Sequence, residues 1–360
     1  MSMNIAINTG GGDAPGLNAA IRAATLAALK RGWNVYGIKN GYGSIYTDEP
    51  FIPLTEKSVR GITLLGGTIL GTANKGNPFD MPCEKEDGSM GTKDVSDHLI
   101  KIFKKNKIDA LIAIGGDGSM RIAHKLVQKG LNVVGVPKTI DNDIWGCDVS
   151  LGFDTARSIA TEAIDRITTT AESHQRLMVV EVMGRYAGWI ALFSGLASTA
   201  DVILLPEIPF KYESIISKIE ERKSKGKNYT MIVTAEGAKP EGGQLVTKEK
   251  TAGQEVQLGG IGVMVANELS ERTGQESRSV VLGHLQRGGS PTTFDRLISL
   301  RFGAAAVRCI GNGDFNTLVA LRDNKMSSIP ISDVANKMKA VPLDSDTLQT
   351  AREIGICMGD

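Results

Sequence analysis

Apolar positions along the chain follow two rhythms. Short runs rich in β-branched residues occur at Asn4–Asn8, Asn34–Ile38, Asp109–Ile114 and Asn132–Val136, and again at Leu177–Val182, Asp201–Leu205, Tyr229–Thr234 and Arg278–Leu282. Continuous apolar runs of this length predict strands buried on both faces. Between them lie helical stretches. Gly16–Lys30 is rich in alanine and leucine, with Asp13 placed to cap it, Pro15 suited to its first turn and Gly32 to end it. Asp94–Lys105 sets Val95, Leu99, Ile102 and Phe103 at i, i+4, i+7 and i+8, one helix face, and Ser119–Gln128 forms a third helix. Strands alternating with helices predict βαβ units and parallel sheets. Two stretches, Asn74–Thr92 and Ala238–Gly253, break the rhythm and read as surface insertions. The uncharged stretch Tyr186–Ala200 is shorter than the ~20 residues that span a bilayer and reads as a buried helix.

Length and composition narrow the class. At 360 residues the chain has room for about two domains of typical size. Glycine is over-represented, with 42 residues against the ~7% of an average protein, while proline is sparse at 12 and no G-X-Y period exists. The glycines therefore belong to ordered turns. Lysine and arginine total 41 against 40 acids, so no global basic field draws in nucleic acid or anionic lipid, and neither partner is expected. The first residues carry no basic segment, and their apolar run reaches Gly10–Gly12 at once, so no signal peptide is expected. Four cysteines without any C-x-x-C, and histidines at no ligand spacing to them, predict a reduced cytoplasmic protein without zinc.

In open parallel sheets, ligands bind beyond the carboxyl ends of the strands. Three such ends carry unusual residues. The first holds glycines at 10, 11, 12 and 16, fitting neither a Walker A loop nor G-x-G-x-x-G. Such a loop lets backbone N–H groups approach an anion at a helix start, and it equally serves a plain tight turn. The second, Gly115–Ser119, sets Asp117 among glycines, as a phosphate–Mg²⁺ site requires, although Ser119 alone would also serve as an N-cap. The same G-G-D-G-[ST] occurs in NAD kinases and lipid kinases, so by itself it indicates a phosphoryl donor. The third, Pro137–Asp143, brings Asp141 and Asp143 to a place where one can accept a proton from an attacking hydroxyl, or where both simply shape a polar loop. Further on, Arg176, Arg185 and Arg287 each reach a strand boundary, where arginine forks suit a phosphorylated substrate although each alone would equally serve a surface salt bridge. Glu236 can accept from sugar hydroxyls or simply cap a loop.

Together these segments resemble the phosphofructokinase family. The matches are G-G-G-D-A-P-G-L-N-A-A-I-R at 10–22, G-G-D-G-S at 115–119, P-K-T-I-D-N-D at 137–143, A-I-D-R at 163–166, S-H-Q-R at 173–176, E-V-M-G-R at 181–185 and G-H-L-Q-R-G-G-S-P at 283–291, in the family's order. The resemblance implies an α/β fold of two similar Rossmann-like parallel-sheet domains with crossing chain segments. The donor-binding domain would comprise residues 1–152 and about 286–336, and the sugar-phosphate domain 153–285 and about 337–360. The implied reaction, a step of glycolysis, moves the ATP γ-phosphoryl group to the 1-hydroxyl of fructose 6-phosphate. Gly11, Gly116, Asp117, Gly118, Ser119 and Lys138 would meet the donor, with Asp117 holding Mg²⁺. Asp141 would be the base, with Thr139 and Arg185 assisting. Thr139, Ile140, Asp141, Asp143, Met183, Gly184, Arg185, Glu236, His284, Leu285, Gln286 and Arg287 would meet the sugar phosphate. Arg176 and Arg278 would enter from a neighbouring subunit, implying a homo-oligomer, dimer or tetramer.

Two positions bear on the donor. Pyrophosphate-using relatives commonly read G-G-D-D, and their second aspartate occupies the space of the nucleotide α-phosphate and repels it by ~4 kcal/mol at 4 Å and an effective dielectric of 20. Here that residue is Gly118, which favours ATP, whereas Lys138 is a residue shared with pyrophosphate users. Steric and charge exclusion outweighs one favourable contact, so ATP is expected, with pyrophosphate the alternative. Where many ATP-using members carry an arginine that bridges donor and sugar phosphate, this chain has Asn74 followed by Lys75, which keeps a charge without the fork. A non-catalytic sensor on the same scaffold is the rival class, but it would have no need of Asp117, Asp141 and Asp143.

Overall fold

The computed structural model describes residues 2–73, 76–84, 88–246 and 258–360. The expectations for Asn74 and Lys75, and for the insertion beyond residue 246, fall outside the described residues. The chain begins with β1 (Asn4–Thr9), α1 (Leu17–Leu29), β2 (Asn34–Gly37) and a short β3 (Ile52–Pro53). A hairpin of β4 (Met81–Glu84) and β5 (Met90–Lys93) precedes α2 (Ser96–Lys105), β6 (Ala110–Gly115), α3 (Asp117–Gln128) and β7 (Val133–Pro137). Next come α4 (Phe153–His174), β8 (Leu177–Val182), α5 (Trp189–Ala197), β9 (Val202–Leu204), α6 (Tyr212–Ser224), β10 (Thr230–Ala235), α7 (Ile261–Thr273) and β11 (Ser277–Val281). The last stretch holds α8 (Thr293–Asn312), β12 (Thr317–Arg322), β13 (Lys325–Pro330), the single turn α9 (Ile331–Val334) and α10 (Asp346–Glu353). These elements divide into two compact units, the first built from residues up to 154 together with 287–339, the second from the stretch 155–286 and residues 340–360.

The first unit is built on a seven-stranded sheet in the order β13-β12-β7-β6-β1-β2-β3. Every residue of β6 and β7 is buried, as expected of inner strands covered on both faces. The pairings β12–β7, β7–β6, β6–β1 and β1–β2 are parallel, but β3 and β13 close the two edges antiparallel, a departure from the purely parallel sheet that the alternation predicts. A tight turn explains the β13 edge, because β13 follows β12 after only Asp323 and Asn324, both at positive φ, and a link that short joins only antiparallel strands. From β1 the chain moves to β2 on one side and returns at β6 on the other. With right-handed crossovers, α1 and α3 then cover opposite faces, and the carboxyl ends of β1 and β6 part around a crevice.

The second unit carries a four-stranded, wholly parallel sheet in the order β11-β8-β10-β9. Its core packs Leu177, Val179, Ile232, Val202 and Leu204 of the strands against Ile215 and Ile219 of α6 and Val265 and Leu269 of α7. The buried helix expected at Tyr186–Ala200 is α5, with Ile190, Ala191 and Leu192 inside. No described helix is long and apolar enough to cross a membrane.

Local details differ from the sequence reading. The first helix begins only at Leu17, and its N-cap is Gly16 at φ 107°, with no side-chain cap, so Asp13 does not cap it. Likewise α3 starts at Asp117, which puts Ser119 inside the helix rather than at its N-cap. The Asn74–Thr92 insertion is not structureless, since it contains the β4–β5 hairpin.

In the first unit α1 packs on α8, and the contact depends on a missing side chain. A methyl group at Gly303 would overlap the Ala20 carbonyl oxygen and stand 2.9 Å from the Ala24 nitrogen, both rigid backbone. Gly303→Ala is therefore expected to force the helices apart and to cost about 1–3 kcal/mol. Urea unfolding should show this as a lower midpoint, and an unchanged midpoint would show that the helix pair yields freely.

Candidate functional site

Three loops of the first unit meet because their strands, β7, β6 and β1, are neighbours in one parallel sheet. Gly10 continues the β1–β6 pairing, its N–H donating to the Ile114 carbonyl at 2.9 Å. The Ser119 side chain lies between the first two loops, and a Cβ at Gly10 would stand 2.7 Å from its oxygen. A Cβ at Gly115 would overlap the same side chain. Glycine at these two positions is thus a matter of space. Gly11 is at φ 75°, its N–H reaches the Ala73 carbonyl at 3.3 Å, and its own carbonyl accepts from the Thr72 hydroxyl. The motif reading assigns Thr72 no role. Gly118, by contrast, faces open space, with nothing nearer to an added Cβ than an Arg121 nitrogen at 3.9 Å.

Lys138 is the chemical centre of this group. It leaves the carboxyl end of β7, is 3% exposed, and donates from Nζ to the Gly12 carbonyl. Burial, reinforced by the nearby Arg287 charge, pulls its pKa down to about 7, while Asp13, Asp143 and Asp141 oppose the fall. Arg287 donates to the Asp13 carbonyl at 2.9 Å, and an added Cβ at Gly12 would lie 2.8 Å from its guanidinium. Arg287 therefore belongs to the first unit's loops, whereas its sequence neighbours His284, Leu285 and Gln286 belong to the second unit.

The acidic loop follows directly. The Thr139 hydroxyl accepts the Asp141 N–H at 3.1 Å, and Ile140 is fully buried. Burial pushes the Asp143 carboxyl up from its ordinary range, against Thr139, Lys339 and Lys138, which favour the charged form. Asp143 Oδ1 is buried without a hydrogen-bond partner. Asp117, at the first position of α3, forms an ion pair with Arg121 at 2.8 Å. Among the described residues no group of three or more His, Cys, Asp or Glu could enclose a metal ion. The donor set fits an ion held by one carboxylate and carried in by substrate phosphates, as magnesium usually is.

In the second unit the carboxyl ends of β11, β8 and β10 are again adjacent. The Gly237 N–H donates to the Gly184 carbonyl at 3.1 Å, and a Cβ at 237 would overlap the Arg185 carbonyl. This close approach brings Met183, Gly184, Arg185 and Glu236 together, with the Arg185 guanidinium 5.2 Å from the Tyr186 ring. Gln286 is fully buried, its amide accepting from the Met183 N–H at 3.4 Å and donating to the Gly283 carbonyl at 3.1 Å. His284 and Leu285 are exposed beside it. Glu207, which no motif flagged, holds the next turn by accepting from the Gly188 N–H at 3.0 Å.

Arg176 and Arg278 do not join that cluster. They sit at the amino ends of β8 and β11, a strand length of roughly 20 Å from Met183–Arg185. Both pair with Glu276, Arg176 at 2.8 Å. One carboxylate thus holds two guanidiniums side by side, a feature the sequence reading missed.

The buried lysine has a measurable signature. Between pH 7 and about 10 the folded chain leaves Lys138 largely neutral while the unfolded chain protonates it, so stability rises with pH through this group. Compared with Lys138→Met, the wild type is expected to gain roughly 1 kcal/mol per pH unit across that interval in urea unfolding. A pH-independent difference would place the ammonium in water.

Comparison with known proteins shows the family. A family profile described as Phosphofructokinase matches residues 4–310. The chain is 49% identical over 360 residues to ATP-dependent 6-phosphofructokinase 2 of Clostridium perfringens, covering 99% of this chain and 98% of that one. It is 48% identical over 343 residues to the pyrophosphate–fructose 6-phosphate 1-phosphotransferase of Amycolatopsis methanolica, covering 94% and 96% of the two chains. Among solved structures, Pichia pastoris phosphofructokinase in the T-state superposes with a TM-score of 0.80 at 31% identity, over 99% of this chain and 37% of that longer one. A family profile across most of the chain and near-half identity end to end leave one assignment: this chain belongs to the phosphofructokinase family.

Proposed function

We propose that the protein is an ATP-dependent 6-phosphofructokinase, which transfers the γ-phosphoryl group of ATP to the 1-hydroxyl of fructose 6-phosphate and yields fructose 1,6-bisphosphate. The observation that carries this reading is the meeting of three loops at neighbouring strand ends, with an open position at Gly118 and the Asp141–Asp143 pair beside Lys138. The first supplies backbone donors for phosphates, the second leaves room for a nucleotide, and the third supplies a base.

Each residue then has a defined task. Backbone amides of Gly116–Ser119, at the positive end of α3, hold the donor phosphates, with Gly11 lining the donor site beside them. Mg²⁺ bound with the donor, with Asp117 as its protein ligand, supplies neutralisation of phosphate charge. Asp141 accepts the proton of the sugar hydroxyl as the new P–O bond forms, and Thr139 keeps its backbone in place. Lys138, close to its titration point, holds negative charge on the transferring and leaving phosphates. Met183, Gly184, Arg185, Glu236, His284, Leu285, Gln286 and Arg287 bind the sugar phosphate. Arg176 and Arg278, a strand length away and held as a pair by Glu276, serve the site of a second copy in a homo-oligomer. The protein works in the cytoplasm, without nucleic acid or membrane.

The pyrophosphate reading rests on Lys138, and relatives of both names stand at similar identity. Gly118 favours ATP, because pyrophosphate specificity commonly fills this position with a carboxylate. A coupled assay at matched Mg²⁺ is expected to show faster turnover with ATP than with pyrophosphate, and Gly118→Asp is expected to abolish ATP use. Faster turnover with pyrophosphate would make Lys138 the deciding residue. Asp141→Ser is expected to lower kcat by ~10²–10⁴ with little change in the KM for fructose 6-phosphate. Near-normal turnover of that variant would remove Asp141 from the role of base.

A further inference from the structure

The loop that carries Asp141 and Asp143 leaves the sheet after β7 and returns at Leu151, where it pairs with Lys138. From inside it is closed by Asn142, a non-glycine residue at φ 53°. The Asn142 side chain donates to the Asp148 carbonyl at 3.3 Å and accepts the Ser150 N–H at 3.0 Å. The Ser150 hydroxyl donates to the Thr139 carbonyl at 2.7 Å.

From outside the loop is held by a residue nearly two hundred positions later. The Lys339 N–H donates to the Asp143 carbonyl at 2.8 Å, and Met338 pairs with Ile144 in an antiparallel bridge. The Lys339 ammonium then reaches the other side of the loop, donating to the carbonyls of Cys147 at 2.7 Å and Asp148 at 2.9 Å. One residue thus ties the carbonyl just after the proposed base, through its backbone N–H, to the two carbonyls where the loop turns back, through its ammonium. We propose that Lys339 is a positioning residue for phosphoryl transfer, fixing the track from Asp143 to Asp148 and through it the aim of the Asp141 and Asp143 carboxylates. It touches no reacting atom.

Two physical points support this role. Hydrogen bonds from a charged donor are about twice as strong as neutral ones, so the two bonds from the Lys339 ammonium, beside the one from its backbone N–H, hold a loop that has no regular secondary structure of its own. Burial pulls the Lys339 pKa down to about 8, with Cys147, Asp148 and Asp143 opposing the fall, so the ammonium stays largely charged at neutral pH and favours the ionised form of Asp143. Misplacing a reacting group by about 1 Å costs on the order of 10²-fold in rate, whereas ground-state binding through other residues is largely spared.

The inference rests on the phosphofructokinase reading, and the test separates the two. Lys339→Met and Lys339→Arg are compared with the wild type in steady-state kinetics with fructose 6-phosphate and ATP, in thermal unfolding, and in hydrogen–deuterium exchange of peptides covering 141–150. The Met variant is expected to lose ~10- to 100-fold in kcat, with both KM values within about threefold, and to exchange faster in 141–150. The Arg variant, which keeps a charged donor, is expected to recover most of both losses. Unchanged kcat, or unchanged exchange in 141–150, overturns the proposal. So does a Met variant that loses kcat and both KM values along with its melting temperature and is not rescued by Arg, because that outcome describes general structural support. A wild type that fails to phosphorylate fructose 6-phosphate would sink the functional reading, while exchange in 141–150 would still decide whether Lys339 holds the loop.

Discussion

Burying the Lys138 ammonium is the constraint on which the first unit's site depends. A cation in a dry position is costly without an acceptor and opposite charge near it, and here the Gly12 carbonyl accepts from the ammonium while the charges of Asp13, Asp141 and Asp143 favour its charged form. Those groups come from two different loops, so the lysine acts as the tie between the glycine-rich turn after β1 and the acidic turn after β7. Arg287 works against it, lowering the Lys138 pKa further, and at the same time pins the first loop through the Asp13 carbonyl. The result is an ammonium close to its titration point beside two carboxylates, a poised arrangement suited to handling phosphate charge.

Close backbone approach is the second recurring device. In the first unit, the Ser119 side chain fills the space that side chains at Gly10 and Gly115 would take. In the second, Gly237 rests on the backbone of Arg185. Both contacts follow from parallel pairing, because neighbouring parallel strands end side by side and their loops must pass one another within a strand spacing of ~4.8 Å. The excess of glycine in the composition is, in these places, a packing requirement.

Carboxylates that hold backbone amides, one buried and one half-buried, complete the second unit. Glu181 is 2% exposed and accepts from the Gly262 N–H at 2.8 Å and from Gly260, satisfying donors at the start of α7. Glu207 accepts from Gly188 and from the Val341 N–H at 2.8 Å, and burial pushes its pKa up. Both residues fix loops adjoining Met183–Arg185; Glu181 opens the E-V-M-G-R match, whereas Glu207 belongs to no motif.

The sequence by itself determined the alternation of strands and helices, the three glycine and aspartate loops, and the family. These are local properties, since a strand-length apolar run and a glycine before a helix carry their physical reason within a few residues. It also singled out Asp141, Lys138 and Gly118, whose chemistry is legible from residue type and motif. Tertiary structure decided the rest. The antiparallel edges β3 and β13 and the pairing of Arg176 and Arg278 by Glu276 depend on which chain segments become neighbours. The same holds for Thr72 on Gly11, Arg287 on Gly12 and Lys339 on the loop after Asp143. Each joins residues tens to hundreds of positions apart, and no pattern in the chain records a hydrogen bond to a distant backbone carbonyl, because every residue offers that same acceptor.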